Sequence, residues 1–183
     1  MQAVIVFTGG YSGEAVISRK SAAMVMANID QSRFNPLLVH IDEEGWFAEV
    51  DGEKQPTSLA ALMNDPAGYI GAFIMVHGTP GENGILQAEL EAAGFPHTTG
   101  NAAAVALTFH KGRTTAFLGE AGLPVARAIQ IADGAEWSKE ALIEALGLPC
   151  FVKPNETGSS IGISKVKTAE QLDPAIQAAM AIS

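Results

Sequence analysis

The run Gly71-Ala-Phe-Ile-Met-Val76, followed directly by His77-Gly-Thr-Pro-Gly-Glu-Asn-Gly84, constrains this chain more than any other segment. The uninterrupted apolar run reads as a buried strand, and beyond the loop Leu86, Leu90 and Ala93 recur at helical spacing. Between them lies a loop broken by three glycines and a proline, carrying a histidine and a carboxylate. Strand, glycine-broken loop and helix in this order is how α/β folds build ligand sites at the carboxyl ends of their strands. The mixture suits a small polar ligand better than a plain turn.

The neighbouring sequence repeats the alternation. Residues 3–8 form an apolar strand ended by Gly9 and Gly10, and a helix follows from about 14 to 29 with Ile17, Met24 and Ala27 on one face. A second strand lies within 34–41, with candidates for a short extra strand at 46–50, a small helix at 59–64 and a short strand at 96–99. This pattern predicts an α/β fold, a Rossmann-like parallel sheet with flanking helices, ending near Gly100.

Helical segments around 102–108 and 112–121 lead to a unit of different character. It holds an expected strand at 123–131 and a helix capped by Ser138 that carries Leu142, Ile143 and Leu146. Two further strands at 149–154 and 162–167 are joined by a Gly-Ser-rich loop, an antiparallel pair. Thr168-Ala-Glu-Gln171 has capping-box spacing, while Asp173-Pro174 equally fits a helix start. The division is thus 1–100 as an α/β domain, 101–122 as a helical linker and 123–183 as an α+β unit. The last, at roughly 60 residues, is near the lower limit for a stable core. Its strand pair has an uncovered face, which implies more chain or a partner.

A net charge of −9 argues against nucleic acid as a partner, since neutralising phosphates takes basic patches. It leaves room for one nucleotide, which needs only a few placed lysines. No apolar run approaches the roughly 20 residues of a membrane span, and the start reads as a strand, not a signal peptide. One cysteine, Cys150, forbids an internal disulfide and fits a reducing cytoplasm, where the Asn155-Glu-Thr157 sequon has no meaning. The scattered histidines offer no zinc pattern. Methionines 24, 26, 63, 75 and 180 are expected to fill core gaps. Trp46 and Trp137 have no assigned role.

Several residues could carry chemistry. In Asn155-Glu-Thr-Gly-Ser-Ser-Ile-Gly162, glycines allow close backbone approach and successive N–H groups can form an anion nest, to which Ser159 and Ser160 add hydroxyls. In isolation such a loop is a flexible hairpin tip. Lys153 precedes it in the run Cys150-Phe-Val-Lys-Pro154, where an ammonium among apolar neighbours would need an anionic partner such as a phosphate. No Walker A pattern occurs. Lys111 follows a predicted helix, where the macrodipole favours a cation, and Glu14 sits at the first turn of another, where it favours a carboxylate. By default Lys111 is a surface residue, Glu14 a helix-start carboxylate and His77 a hydrogen-bonded strand-end histidine.

Taken in order, Gly9-Gly-Tyr-Ser-Gly-Glu14, His77 to Gly84, Phe109-His-Lys111 and Leu148-Pro-Cys-Phe-Val-Lys-Pro-Asn-Glu-Thr-Gly-Ser-Ser-Ile-Gly162 resemble the D-alanine–D-alanine ligases of the ATP-grasp superfamily, from about residue 3 to about 179. The resemblance covers only the amino-terminal part of such an enzyme. It implies a pre-ATP-grasp substrate domain followed by an incomplete first ATP-grasp subdomain. It assigns Glu14, His77 and Ser159 to D-alanine, with Glu14 facing its ammonium and Ser159 orienting it. Lys111, Lys153, Gly158, Ser159, Ser160 and Gly162 go to ATP, and Glu82 and Thr79 brace their loop. His110 departs from the acidic residue usual before that lysine, which puts the local hydrogen bonding in question, and Asn83 stands where aspartate is common. The resemblance further implies Mg2+, a cytoplasmic bacterial homodimer, and a dipeptide made through an acyl phosphate for peptidoglycan. Magnesium ligands and a charge-stabilising arginine belong to the family's later segment, so no turnover is expected of these 183 residues alone. Two alternatives stay open: another ATP-grasp carboxylate–amine ligase, or a non-catalytic module that binds nucleotide or dimerises.

Overall fold

Strand β1 (Gln2–Gly9) is buried along nearly its whole length, as a central strand covered on both faces must be. It pairs in parallel with β2 (Phe34–Asp42) on one side and β5 (Ala72–Ile74) on the other. β3 (Gly45–Val50) and β4 (Glu53–Thr57) continue the sheet antiparallel beyond β2, giving the order β4-β3-β2-β1-β5. The expected parallel sheet is therefore mixed, with a parallel heart and an antiparallel hairpin at one edge. β4, unanticipated, reads Glu53-Lys-Gln-Pro-Thr57 with no apolar alternation, and its proline is tolerated because the strand lies at the edge. The 96–99 segment contributes a single bridge, His97 beside Ala72. The computed structural model describes residues 1–182, and the chain forms two compact units, Met1–Ala106 and the residues from Leu107 onward. That boundary falls inside the 101–122 segment.

The core of the first unit gathers Ile5 and Phe7 from β1, Val39 and Ile41 from β2, and Ile74 from β5, with Leu62 from α2 (Leu59–Met63) and Leu86 and Leu90 from α3 (Ile85–Ala92). Phe7 meets Trp46 edge to face at 5.0 Å. Full burial of one such side chain stabilises by about 1.5–3 kcal/mol. α1 (Ala15–Asn28) inverts its predicted face. Ser18 and Ala22 are buried, whereas Ile17 and Met24 are exposed, and so is Ala27. Small residues let the helix settle closely against β1, so the large apolar ones are left outside. Met24 and Met63 accordingly do not fill core gaps.

In the second unit, α4 (Ala102–Phe109) runs in from the first and α5 (Lys111–Glu120) follows after His110. The expected strand at 123–131 is not formed. β6 (Cys150–Val152) pairs only with β7 (Ser164–Val166), Pro124 has no N–H to give a ladder, and Leu123, Val125 and Ile129 are exposed. α6 (Lys139–Leu146) is capped by Ser138, whose Oγ accepts from Ala141 N at 3.2 Å. The choice between helix starts resolves in favour of Thr168. Its capping box with Gln171 begins a 3-10 turn that runs directly into α7 (Leu172–Met180), so Asp173 and Pro174 lie inside the first turn. A second core packs Val166, Leu172, Ala175 and Ile176 against Trp137, Leu142 and Ile143. Trp137 also donates Nε1–H to Asp173 at 3.0 Å, tying the segment before α6 to α7. Among the described residues, no helix is long and apolar enough to cross a membrane.

Candidate functional site

In the first unit two glycine-broken loops interlock at the carboxyl ends of β1 and β5. Tyr11 N donates to Thr79 O at 2.8 Å, and Gly10 N to Ile41 O at 2.7 Å. Glu14 occupies the N-cap position of α1 and is buried. Gly78, with φ +67°, passes so close that a Cβ on it would stand 3.1 Å from Glu14 Oε2. His77 is half-buried, donates its backbone N–H to Ser18 Oγ at 2.9 Å, and shares a 3.2 Å hydrogen bond between Nε2 and Ser21 Oγ. Glu14 and His77 are thus brought together, with Ser12, Ser18 and Ser21 as the links. Sequence reasoning missed these serines. The signal was there: Ser18 and Ser21 share the small-residue face of α1, taken for the outer one.

The loop itself is braced from within. Glu82 Oε2 accepts from Gly78 N at 2.6 Å, and Asn83 Nδ2 donates to Thr79 Oγ1 at 3.3 Å. Gln87, fully buried on α3, donates to Gly81 O at 2.7 Å and to Thr99 Oγ1 at 3.1 Å. Tyr11 has its phenol pushed above the usual value, first by burial and then by the carboxylates of Glu89 and Asp42. The result is a hydrogen-bonded, partly buried loop cluster with a carboxylate, an imidazole and hydroxyls, chemistry suited to an ammonium-bearing polar ligand.

In the second unit, Lys111 and the Gly-Ser loop are in direct contact. Lys111 is the first residue of α5 as well as following α4, and its Nζ donates to Asn155 O at 3.3 Å and to Thr157 O. His110 answers the departure from an acidic residue by capping α5 itself, its Nδ1 accepting from Arg113 N at 3.1 Å. At the crest of the loop Ser159 and Ser160 are exposed, both with left-handed backbone at φ 48° and 61°. Gly162 is crowded, since a Cβ there would lie 2.7 Å from Pro154 Cγ. Gly158 accepts from Ile161 N at 2.9 Å.

Lys153 corrects an expectation. It is exposed, not held among apolar neighbours, because Cys150 and Val152 turn inward while the alternation puts Phe151 and Lys153 on the open face of the strand pair. Phe151 is 58% exposed and has two ammonium groups near its ring, Lys153 Nζ at 5.7 Å and Lys165 Nζ at 5.8 Å. A cavity of about 950 Å³ lies beside β6, lined by Lys111, Lys153, Asn155 and the 126–133 segment and also by the inward-facing Cys150, Val152, Leu142 and Ile176. Cationic groups, an open aromatic ring and a small-residue loop together suit a polyanion carrying a ring. Ser159 sits in this unit and Glu14 in the other.

A family model described as "D-ala D-ala ligase C-terminus" matches residues 117–183. A D-alanine–D-alanine ligase of Flavobacterium psychrophilum is 41% identical over 182 residues, covering 97% of this chain and 56% of that protein. Among solved structures, the D-alanine–D-alanine ligase of Coxiella burnetii superposes with a TM-score of 0.89 at 25% identity, over 99% of this chain and 61% of that one. VanG D-Ala:D-Ser ligase of Enterococcus faecalis gives 0.82 at 27% identity, over 100% and 60% respectively. The chain spans a little over half the length of the curated relatives it matches. Over nearly all of its residues, then, this chain is similar to D-alanine–D-alanine ligases, and it shares the ATP-grasp fold of its structural neighbours.

Proposed function

We propose that this chain carries the amino-acid pocket and part of the nucleotide pocket of an ATP-dependent D-alanine–D-alanine ligase. The observation that carries the reading is the hydrogen-bonded contact of the Lys111 ammonium with the loop bearing Ser159 and Ser160, 46 residues away. Lysines and a loop of backbone N–H and hydroxyl groups are what a phosphoryl group requires. Lys111, Lys153, Gly158, Ser159, Ser160 and Gly162 would hold the ATP phosphates, and Phe151 would offer its open ring beside them. Glu14 and His77 would hold the first D-alanine, the Glu14 carboxylate facing its ammonium. Its carboxylate would take the γ-phosphoryl group, and the amine of a second D-alanine would displace phosphate from the acyl phosphate to leave the dipeptide. The reading extends to a cytoplasmic homodimer serving peptidoglycan synthesis.

Mg2+ chemistry normally accompanies such a transfer. Among the described residues, no group of three or more His, Cys, Asp or Glu is arranged to hold a metal ion. The described residues therefore form no all-protein metal cage, which Mg2+ does not ordinarily use. The chain by itself is expected to bind nucleotide without turnover.

Thermal shift tests this reading. ATP and D-alanine should each raise the melting temperature of the chain, and other carboxylic acids should not. Selective stabilisation by a different acid would transfer the chain to another ATP-grasp ligase specificity. Steady phosphate release from ATP and D-alanine would contradict the expectation of no turnover.

A further inference from the structure

Asn155 holds a position that no site residue named above explains. It opens the serine loop directly after Lys153-Pro154, yet its bonds go to α5. Its carbonyl oxygen accepts from Lys111 N at 3.1 Å and from Lys111 Nζ at 3.3 Å, and its Oδ1 accepts from Gly112 N at 3.1 Å. His110 takes the next N–H, that of Arg113. The first N–H groups of a helix have no intrahelical partner and must find one elsewhere. At α5 the first three are all answered, two of them by one residue from a loop 43 or more positions away. The start of α5 is therefore a socket for Asn155 and not an anion site in its own right. Gly112 is buried, and a Cβ there would meet the movable end of the exposed Gln130 side chain.

Beyond Asn155, the loop maintains two successive serines in a left-handed conformation that L-residues adopt only when their surroundings hold them there. Within the loop, Ile161 N bonds Gly158 O, Ile163 N bonds Ser160 O at 3.3 Å, and Thr157 Oγ1 donates to Ile161 O at 3.0 Å. None of these ties the crest to the rest of the unit. The bonds from α5 to Asn155 and Thr157 do.

The geometry points to Asn155 as the positioning residue that registers the serine loop on α5, so that Lys111, Ser159 and Ser160 keep one fixed relation. This rests on the proposed phosphate-binding role of the loop, and it adds a residue that the family resemblance did not name. Asn155 touches no phosphate in this account; it acts through the loop.

The test uses the whole chain with Asn155→Ala and Asn155→Asp, whose carboxylate oxygen can still accept from Gly112 N–H. Amide exchange at Ile161 and Ile163 reads the order of the loop, because neither amide bonds Asn155. Cys150 and Val166 report the β6–β7 pair as the control. Asn155→Ala should raise exchange at Ile161 and Ile163 about fivefold or more, the scale of a lost cap, and leave the control amides unchanged. Asn155→Asp should restore protection. Unchanged loop exchange in Asn155→Ala, an equal rise at the control amides, or failure of Asn155→Asp to restore protection would each overturn the assignment. A calorimetric titration with ATP separates the two layers of argument. No binding by the unsubstituted chain overturns the nucleotide reading, while the exchange result still decides the role of Asn155. Binding by Asn155→Ala as tight as the unsubstituted chain overturns the positioning role alone.

Discussion

Replacing Gly78 by alanine should be among the costliest one-methyl changes in the first unit, and the structure supplies its own control. Gly78 and Gly68 have nearly the same φ, +67° and +64°. At Gly68 an added Cβ meets nothing within 4 Å, whereas at Gly78 it overlaps Ser12 Oγ and stands 2.9 Å from Ser12 Cβ. Rotation of the hydroxyl relieves the first contact but not the second, so backbone must move. The left-handed conformation costs alanine about 1–2 kcal/mol at either position. Loss of unfolded-chain freedom returns about 0.4–1 kcal/mol in both variants. Gly68→Ala should therefore destabilise by about 0–1.6 kcal/mol. Gly78→Ala carries in addition an overpacking penalty of about 1–3 kcal/mol. Urea denaturation at 25 °C, followed by Trp46 fluorescence in a common Trp137→Phe background, reads the first unit alone. Ser12→Gly in the Gly78→Ala variant should recover most of the excess. Equal losses for the two alanine variants, or no recovery with Ser12→Gly, would refute the interlocking of the two loops.

Leu90→Ala should cost about 2–5 kcal/mol by urea titration, because Leu90 is fully buried against the sheet core. His110→Ala should lower stability by about 1 kcal/mol by removing the cap on Arg113 N, and His110→Asp should retain most of it, as thermal melts of both would show. Both tyrosines, Tyr11 and Tyr69, have phenols pushed upward chiefly by burial. A raised folded pKa means that their contribution to stability is complete below the unfolded value near 10 and is lost as pH climbs through the folded values. Ultraviolet titration of the native chain should therefore show phenolate forming above the midpoint found in denaturant. Coincident midpoints would contradict the partial desolvation of the two phenols.

The chemistry-bearing loops were more legible than the packing between them. His77 to Gly84 declared itself because glycines and a proline between a strand and a helix leave few conformations, and Ser138 and Thr168 announced helix starts through capping patterns that act locally. What escaped depends on distant partners. The outer face of α1 carries Ile17 and Met24 because small residues set the approach to the sheet, which a count of apolar positions cannot register. Residues 123–131 have the composition of a strand but no strand bonded beside them. Lys153 read as buried from its apolar neighbours in sequence, yet on a short strand those neighbours alternate faces and leave it outside. Asn155 gave no local signal, since its partners Lys111 and Gly112 lie more than forty positions earlier.

The most direct measurement is a calorimetric titration of ATP into the chain and into its Lys153→Met variant. Lys153 is exposed and outside the core, so the substitution should change stability by no more than about 0.5 kcal/mol. The account predicts saturable binding to the unsubstituted chain and at least about tenfold weaker binding to the variant, the scale of losing one charge-assisted contact. Absence of binding by a folded chain, or binding that ignores the loss of Lys153, would contradict the nucleotide site at the centre of this account.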